Sequence, residues 1–464
     1  MIGITRLGTY FPRHRLDRAL IAKAWGGRAA GTRTVAGVDE DALTMAVEVG
    51  AVCLGPDDAR TIDALYFAST SAPYHEKQVA SLVATALDAR RDLVVADFTG
   101  STRAGLSALR AALDAVAAGS VGTALVTVAD TRLAEPESDL EPILGDGAAA
   151  ALVGRDGVIA ELIASASVAE EFTHFYRTDV QRYVQVSDAR FGTQYGYTVV
   201  VPEAVAAALA KAGVAPKAVA KLVLAAPDAR AATDAAKKIG CDPATQLVPG
   251  LVAEAGVLGS PDPLVLLSRA LETAQVGDLV VVAAYGEGAD AFVFRVTPAI
   301  ATARPTPVAD RLASPVAVAS YEKYLKSRNV IPVDYQGEPF PTYLEWKELK
   351  QDIRLYGSRC EACGLVQYPM AHVCLRCKAR ERMVDHKLGR HGAVFTYTID
   401  NLAPVAEHPM PMLVIDLDGG GRVYLQGTDS AEGEITVGTR VALTFRRLHE
   451  SGGNRNYYWK ARPA

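Results

Sequence analysis

The 464-residue sequence lacks three features that would each point to a class of protein. It has no run of about 20 apolar residues, the length that a helix needs to span a bilayer. It has no basic excess, since 48 Lys and Arg stand against 53 Asp and Glu. Its start, Met1 to Arg6, has no apolar core of the signal-peptide kind. We therefore expect a cytoplasmic protein that binds neither a membrane nor a nucleic acid.

Cysteine is scarce, and its placement is uneven. Cys53 and Cys241 are solitary within apolar or helical surroundings, which predicts inert core thiols. The other four lie within 18 positions, in "RCEACGLVQYPMAHVCLRC": Cys360, Cys363, Cys374 and Cys377. Two Cys-x2-Cys pairs can present four thiolates tetrahedrally, the closed arrangement of structural zinc. The sequence therefore predicts that these four cysteines bind a structural Zn²⁺ ion.

The composition changes along the chain and predicts four segments. Over residues 1–297, short β-rich runs alternate with Ala-rich helical patterns, which is typical of α/β layers around a buried sheet. Residues 298–350 read as a connector, Pro/Ala-rich at first and then with helical spacing suited to docking helices. Residues 351–389 hold the cysteine cluster. Residues 390–464 show alternating strands separated by Gly/Asp turns, which predicts a small β-barrel.

One strand-turn-helix segment lacks the residue that its pattern calls for. In "VVADFTGSTRAGLSALRAAL", from Val94 to Leu113, a strand runs through a glycine turn into an Ala/Leu-rich helix. Enzymes that carry an acyl group on a thiol place a cysteine at such a junction, where the helix N-terminus lowers its pKa. Here the junction reads Gly100-Ser101-Thr102-Arg103. An alcohol without a neighbouring base is not a competent nucleophile at neutral pH.

The N-terminal segment resembles the 3-hydroxy-3-methylglutaryl-CoA (HMG-CoA) synthases of archaeal and bacterial type, within the thiolase superfamily. The motifs that carry the resemblance include "GITRLGTYFPRHRL", "VAGVDEDALTMAVE", "LGDGAAAALVG", "FYRTDVQRY" and "GDLVVVAAYGEGADAFVFRVT", with "SYEKYLKSRNVIP" in the connector. The resemblance implies a five-layered αβαβα sandwich built from two halves, a dimer, and a CoA thioester as ligand or substrate.

From about Tyr343 onward, the chain resembles the OB-fold/zinc-ribbon proteins that accompany thiolases and related acyl-CoA enzymes. That resemblance implies a barrel that lies over a partner's active site and helps bind acyl-CoA. A nucleic-acid-binding OB-fold is the alternative, and it would show a basic face with stacking aromatics. Arg446, Arg447 and Tyr457–Trp459 are the residues that could form such a face.

The resemblance also implies which residues should perform the chemistry, and those residues are replaced. The family uses a Cys as acyl carrier, a Glu as acid/base and a His that polarises the second substrate. The matching positions here are Thr102, Thr70 and Ala225, and Val257 stands at a further family Asn. None of the three catalytic residues is kept. The cysteine-dependent chemistry has therefore been lost as a set.

Three functions stay open at the level of sequence. In the first, the chain is a degenerate subunit that supports a cysteine-bearing thiolase or synthase partner in a hetero-oligomer. In the second, it is a cysteine-independent (retro-)aldolase acting on a β-hydroxyacyl-CoA, with Tyr195, Tyr197 and Tyr285 as candidates for proton transfer. In the third, it is an HMG-CoA synthase with non-standard residues.

The sequence also predicts where two further residues lie or what they contact. His174 is expected in a loop or on the surface. Arg103, a cation in the nucleophile turn, is expected either to pair with Asp97 or Asp146 or to block the substrate tunnel.

Overall fold

The computed structural model describes residues 1–55, 59–332, 342–402, 409–451 and 453–464. Residues 333–341 of the predicted connector therefore lie outside the described residues. The chain divides into two compact units. The first comprises Met1–Ala36, Asp41–Ala84 and Ala89–Ala317, and the second comprises Gly37–Glu40, Thr85–Asp88 and Val318–Ala464. No helix among the described residues is long and apolar enough to cross a membrane.

The first unit alternates strands and helices, as its sequence predicts. Its strands are β1 (Gly3–Tyr10), β2 (His14–Asp17), β3 (Thr32–Val35), β4 (Ala64–Ala68), β5 (Val94–Phe98), β6 (Ala124–Asp130), β7 (Gly147–Gly154), β8 (Ala160–Ala169), β9 (Phe175–Tyr176), β10 (Gln185–Val186), β11 (Lys221–Leu224), β12 (Leu279–Tyr285), β13 (Gly288–Val296) and β14 (Val316–Ala317). Its helices are α1 (Arg18–Ala24), α2 (Ala42–Leu54), α3 (Val79–Ala86), α4 (Ala104–Ala118), α5 (Ala189–Phe191), α6 (Thr198–Ala212), α7 (Ala229–Ile239), α8 (Asp262–Leu271) and α9 (Val308–Leu312). A π-helical turn, Gly192–Tyr197, precedes α6, and 3₁₀ turns cover Ala59–Thr61, Pro216–Ala218 and Pro298–Ala301.

A nine-stranded sheet organises this unit, in the order β11-β12-β13-β8-β1-β7-β6-β4-β5. It consists of two halves joined where β1 meets β8 through the pairs Gly3–Glu161 and Ile4–Ala160. Helices α4 and α8 pack against each other, and α8 contacts strands of both halves. Helix α2 packs on the first half, while α6 and α7 cover the outer face of the second. The layers therefore follow the predicted order of helix, sheet, helix, sheet, helix.

The two halves are not equivalent at their outer edges. In the first half β5 pairs in parallel with β4 over five residues, from Ala64–Val94 to Ala68–Phe98. In the second half, a single bridge joins Leu222 of β11 to Leu247. The Leu222 N–H donates to Gln246 O at 2.7 Å, and the Val248 N–H donates to Leu222 O at 2.9 Å. Among the described residues, the outermost strand of the second half is therefore reduced to a single β-bridge.

Local sequence explains where several helices begin and end. Helix α2 begins with a capping box in which Asp41 and Thr44 exchange side-chain and backbone hydrogen bonds. Helix α4 ends at Gly119, whose φ of 75° favours glycine. The sequence predicts a helix from Glu76, but α3 begins at Val79. The reason is that the Asp97 carboxylate accepts hydrogen bonds from the N–H groups of Val79 and Ala80, at 2.6 and 2.9 Å.

The second unit contains helices α10 (Tyr321–Ser327) and α11 (Thr342–Asp352) and two small sheets. Strands β15 (Tyr356–Cys360), β16 (Val366–Gln367) and β17 (Met383–Lys387) form the first sheet, in the order β16-β15-β17. Strands β18 (His391–Asp400), β19 (Met410–Leu417), β20 (Arg422–Gln426), β21 (Arg440–Ser451) and β22 (Asn454–Pro463) form the second. Its order is β20-β19-β18-β21-β22, and a parallel bridge from Gly427 to Ala461 brings its two edges together. The second sheet is therefore a closed five-stranded barrel.

Candidate functional site

The turn at the nucleophile position is held by the hairpin between β12 and β13. The Thr102 hydroxyl donates to the main-chain carbonyl of Tyr285 at 2.7 Å, and the Ser101 hydroxyl donates to that of Gly286 at 3.2 Å. The approach is so close that a Cβ atom on Gly286 would lie 2.2 Å from Ser101 Oγ. The Thr102 hydroxyl therefore has a structural partner in the main chain.

Thr70, the residue predicted at the family's acid/base position, lies in a hydrogen-bonded cluster around Asp130. This carboxylate is fully buried at the end of β6. Its two oxygens accept hydrogen bonds from the hydroxyls of Ser69, Thr70, Ser71 and Ser260, at 2.7 to 3.0 Å. The Thr70 hydroxyl is thus committed to a buried anion. The sequence identified the replacement at Thr70 but not its pairing with Asp130, which lies 60 residues away.

The other two replaced positions carry no group that could transfer a proton. Ala225 follows β11, and its N–H donates to Ala283 O at 3.2 Å. Val257 bridges to Leu144 through its backbone. Asp228, three residues after Ala225, caps α7 by accepting from the Ala231 N–H at 2.8 Å. The polar group nearest in sequence to the lost His is therefore used as a helix cap.

Arg103 pairs with a residue other than those expected. Its guanidinium lies 3.5 Å from the Asp290 carboxylate, and it donates to the carbonyls of Val168 and Glu287 at 3.2 and 3.1 Å. The expectation of Asp97 or Asp146 is wrong, because Asp97 caps α3 and Asp146 accepts from the Ala36 N–H. Arg103 ties the start of α4 to the second half of the sheet.

Two of the three candidate tyrosines come together, and the third does not. The rings of Tyr197 and Tyr285 meet edge to face at 5.9 Å, and His174 lies 6.0 Å from Tyr285. Tyr195 is 54% exposed and packs on Phe191 instead. His174 lies in a loop just before β9, as one of the two expectations has it, but it is not on the surface, since this side chain is 2% exposed. The sequence could not predict its burial, because that depends on packing against the π-helical turn.

The remaining two thiols are unsuited to nucleophilic chemistry. Cys53 and Cys241 are both buried, as the sequence predicts. Burial raises the pKa of the Cys53 thiol to about 12 and also raises the pKa of Cys241. Because the thiolate is the reactive form, both residues stay inert at neutral pH.

The four clustered cysteines converge on one point in the second unit. The Sγ atoms of Cys360 and Cys377 lie 3.6 Å apart, as do those of Cys363 and Cys374, and all four lie within 4.8 Å of one another. In a tetrahedral zinc site with Zn–S bonds of about 2.3 Å, the sulfurs are about 3.8 Å apart. The donor set therefore fits Zn²⁺ without rearrangement.

The two Cys-x2-Cys turns share one backbone conformation. The residue after each pair, Gly364 or Lys378, has a positive φ, of 74° and 59°, and its N–H donates to the carbonyl of the first cysteine. The Cys377 N–H also donates to Cys374 Sγ and lowers the pKa of that thiol to about 6. These turns hold the sulfurs in place for a metal ion.

The residues that could have formed a nucleic-acid face are mostly buried. Arg446, Tyr457 and Trp459 are all buried, and the Trp459 ring packs on Phe445 at 5.3 Å. Arg446 pairs with Glu40 at 2.9 Å, with Asp39 at 3.6 Å, and with Asp429. These side chains are therefore not available for stacking on bases.

Lys460 joins the same buried ion network by pairing with Asp39 at 2.9 Å. Burial by itself would raise the pKa of Asp39, but Lys460 and Arg446 outweigh it and lower that pKa to about 2. No pattern in the sequence predicts this network. The one feature in the sequence that could have indicated the network is the adjacent acidic pair Asp39-Glu40, which lies more than 400 residues before Arg446.

The five layers and the strand-turn-helix motif at α4 define a protein of the thiolase fold, to which a zinc ribbon and an OB-fold barrel are attached. Residues 347–382 match the ChsH2 rubredoxin-like zinc ribbon domain, and residues 385–446 match the ChsH2 C-terminal OB-fold domain. Two solved structures are similar at 19% identity. The first is an HMG-CoA synthase complexed with CoA, which has a TM-score of 0.62 and covers 70% of this chain and 89% of that one. The second is MvaS in complex with 3-hydroxy-3-methylglutaryl coenzyme A, which has a TM-score of 0.61 and covers 73% of this chain and 94% of that one.

Among curated proteins, the hydroxymethylglutaryl-CoA synthase of Pyrobaculum arsenaticum is 30% identical over an alignment of 345 residues that covers 71% of this chain and 98% of that protein. The chain therefore belongs to the hydroxymethylglutaryl-CoA synthase family. Its membership of the thiolase superfamily and its two C-terminal domains confirm the resemblances found in the sequence.

Proposed function

We propose that this protein binds acyl-CoA without forming an acyl-enzyme and supports a cysteine-bearing thiolase or synthase subunit through its zinc-ribbon and OB-fold unit. The observation that carries the proposal is the engagement of both replacement hydroxyls. Thr102 donates to Tyr285 O, and Thr70 donates to Asp130. A synthase active site from which the nucleophile and the acid/base group have both been removed can bind a thioester but cannot take up its acyl group.

The ligand class is inferred from the relatives. The solved structures similar in fold include complexes with CoA and with 3-hydroxy-3-methylglutaryl coenzyme A. We propose that the first unit takes a CoA thioester, that Zn²⁺ is bound by the four cysteines in a structural role, and that the chain assembles as a dimer and as a hetero-oligomer with the active subunit.

A purification from the native host, followed by an activity assay, tests this function. We expect the tagged chain to co-purify with a homologue that has the cysteine, and we expect acyl transfer only when that partner is present. A matched control is the partner carrying a Cys→Ala change at its own nucleophile, which should bind the chain and remain inactive. Acyl transfer by the isolated chain would contradict the proposal.

A second function is favoured by one specific observation, the meeting of Tyr197 and Tyr285. In a retro-aldol cleavage, a base removes the β-hydroxyl proton of a β-hydroxyacyl-CoA. The C2–C3 bond then breaks to leave a carbonyl compound and a thioester enolate, and the enolate takes up a proton at C2. This reaction needs no acyl-enzyme. If the isolated chain cleaves such a thioester and Tyr285→Phe abolishes the cleavage, the aldolase replaces the supporting role as the function.

The third alternative, an HMG-CoA synthase with non-standard residues, has no nucleophile to support it among the described residues. Cys53 and Cys241 are buried, with raised pKa values, and neither lies at a strand-to-helix turn.

A further inference from the structure

A small cavity lies within the second unit, between helix α11 and the hairpin of β21 and β22. Its volume is about 150 Å³, and its lining includes the carboxylates of Glu345 and Asp352. A cavity of this size can hold a molecule as large as benzene. The cavity, called the α11 cavity below, therefore has room for one side chain of a partner or for one small molecule.

Asn456 presents a buried polar atom to the α11 cavity. Its side chain is 6% exposed, and its amide nitrogen lies 2.8 Å from His449 Nε2. Its Oδ1 atom has no hydrogen-bond partner within the described part of the chain. A buried acceptor that is left without a partner costs stability, and native structures hold few of them. The position of this oxygen therefore points to a ligand that donates a hydrogen bond.

The Tyr458 oxygen is a second acceptor at the cavity. Its hydroxyl is hydrogen-bonded to that of Tyr368, and the Tyr368 hydroxyl donates to Asp352 Oδ1 at 3.4 Å. Burial raises the pKa of Tyr458 to about 12 and also raises the pKa of Tyr368, so that both phenols keep their protons at neutral pH. Because each phenol has a single proton, Tyr458 donates to Tyr368, and the Tyr458 oxygen is left to accept.

The cavity is acidic, and no Lys or Arg is among the described residues that line it. Glu345 and Asp352 are seven residues apart on α11, about two helical turns, so that both lie on the same side of the helix. Burial, with Glu348 nearby, raises the pKa of Asp352. A cation in the cavity would offset both the burial and the repulsion between these carboxylates.

The acceptors and the charge together match a primary ammonium group, which donates three hydrogen bonds and accepts none. Asn456 Oδ1, the Tyr458 oxygen and the two carboxylates supply the acceptors. Ile353 and Leu448 also line the cavity and supply apolar surface. Lysine carries its ammonium group on a chain of methylenes that packs on such surface. The lining therefore suits the whole lysine side chain.

Helix α11 also exposes large aromatic side chains. Tyr343 and Trp346 are 67% and 78% exposed, and Leu448 at the cavity is 36% exposed. Exposed aromatic residues are enriched where proteins bind other proteins. A protein is therefore a better source of the ammonium group than a free amine.

We propose that the α11 cavity binds a lysine side chain of a protein partner. The ammonium group is held by Asn456, Asp352 and Glu345, and the methylenes pack on Ile353 and Leu448. None of the four cysteines of the zinc site lines this cavity. The inference goes beyond the proposed function, and it does not depend on acyl-CoA binding by the first unit.

NMR titration of the full-length, zinc-loaded chain with Nα-acetyl-lysine methylamide tests this site. The reporter is the Trp459 indole N–H, which donates to the carbonyl of Ile353 at 3.0 Å and should shift as the cavity fills. The indole N–H of Trp25, in the first unit, should not shift. We expect saturable binding that is at least about tenfold tighter than that of the uncharged Nε-acetyl analogue, because the charged donor is lost in the analogue.

Matched variants identify the residues that hold the ammonium group. Asp352→Asn should weaken binding about tenfold and Glu345→Gln several-fold, because a hydrogen bond to an ionised acceptor is about twice as strong as one to a neutral acceptor. Glu432→Gln, the same change at an exposed residue outside the cavity, should keep the wild-type affinity. If melting shows that Asp352→Asn does not fold, the partly exposed Glu345→Gln decides.

Three outcomes would overturn the inference and leave the proposed function intact. The first is the absence of a saturable shift at Trp459, or equal affinity for the two lysine analogues. The second is wild-type affinity in both Asp352→Asn and Glu345→Gln. The third is tighter binding of free pentane-1,5-diamine than of the lysine analogue, which would assign the cavity to a small amine instead of a protein.

Discussion

At the scale of single residues, the two residues predicted at the family's nucleophile and acid/base positions have structural partners. Thr102 is not a weakened nucleophile waiting for a base, because its hydroxyl joins α4 to the hairpin at Tyr285. The Thr70 hydroxyl likewise donates a hydrogen bond to the buried carboxylate of Asp130. The sequence revealed the exchanges at both positions, since they fall within recognisable motifs. It could not reveal the new partners, which lie 183 and 60 residues away.

Restoring the cysteine alone should not restore acyl transfer. We expect Thr102→Cys to transfer its acyl group to a second acyl-CoA about 10²–10⁴-fold more slowly than the triple variant Thr102→Cys, Thr70→Glu, Ala225→His, because general acid–base groups that act on the second substrate contribute rate enhancements of that size. Mass spectrometry of the condensation product at timed intervals measures this rate. Equal rates for the single and triple variants would contradict the interpretation that the residues were lost as a functional set.

The lowered pKa of Asp39 leads us to expect that the free energy of unfolding falls in acid. Its pKa of about 2 in the folded chain lies below its ordinary value of about 3.9, so that the ionised form stabilises the fold. This contribution, about 2.6 kcal/mol, is fully present above about pH 4 and disappears as the pH falls through about 2. The free energy of unfolding of the wild type should therefore fall more steeply over this range than that of Asp39→Asn. Parallel curves for the two proteins would show that Asp39 is not ion-paired.

At the scale of secondary-structure elements, the zinc ribbon was the most predictable part of the chain. Four cysteines at fixed spacing are local information, and their sulfurs converge as the spacing requires. Other elements were less predictable. The start of α3 depends on a cap supplied by Asp97 from the neighbouring strand. The π-helical turn at Gly192–Tyr197 follows from packing rather than from any local pattern.

The ribbon should depend on its metal. We expect one zinc ion per chain by elemental analysis. Cys374→Ser or a strong chelator should unfold the ribbon, because zinc binding provides its folding free energy. Protection of ribbon amides against hydrogen exchange measures this effect, with amides of β6 and β7 as the internal control. A zinc-free chain with an equally protected ribbon would rule out a structural role for the metal.

At the scale of the whole molecule, the second unit is assembled from three separate parts of the chain. Gly37–Glu40 brings Asp39 and Glu40 to Arg446 and Lys460. Thr85–Asp88 brings Asp88 to Arg354 at 2.9 Å and to the Tyr356 hydroxyl at 2.8 Å. A sequence-based division places both segments in the N-terminal domain.

A fragment that contains only residues 318–464 should therefore be incomplete. In the full chain, Arg446→Met should cost about 3–5 kcal/mol, since it leaves buried carboxylates without their cation. In the fragment the same change should cost less, because Asp39 and Glu40 are absent and Asp429 alone is left unpaired. Thermal unfolding of the four proteins measures the difference, with Arg440→Ala, at an exposed pair with Asp418, as a control near 0–1 kcal/mol. An equal cost in both contexts would mean that the two acidic residues do not stabilise Arg446.

The sequence by itself determined the layered α/β unit, the cluster of four cysteines and the barrel, because each depends on periodicity, spacing or a motif within a short stretch of chain. The tertiary structure alone decided where His174 lies, what Thr102 and Thr70 bind, which carboxylate holds Arg103, and that Arg446 is buried among acids. Those facts depend on contacts between residues far apart in the chain. Such contacts are set by how the elements pack, and no local pattern records them.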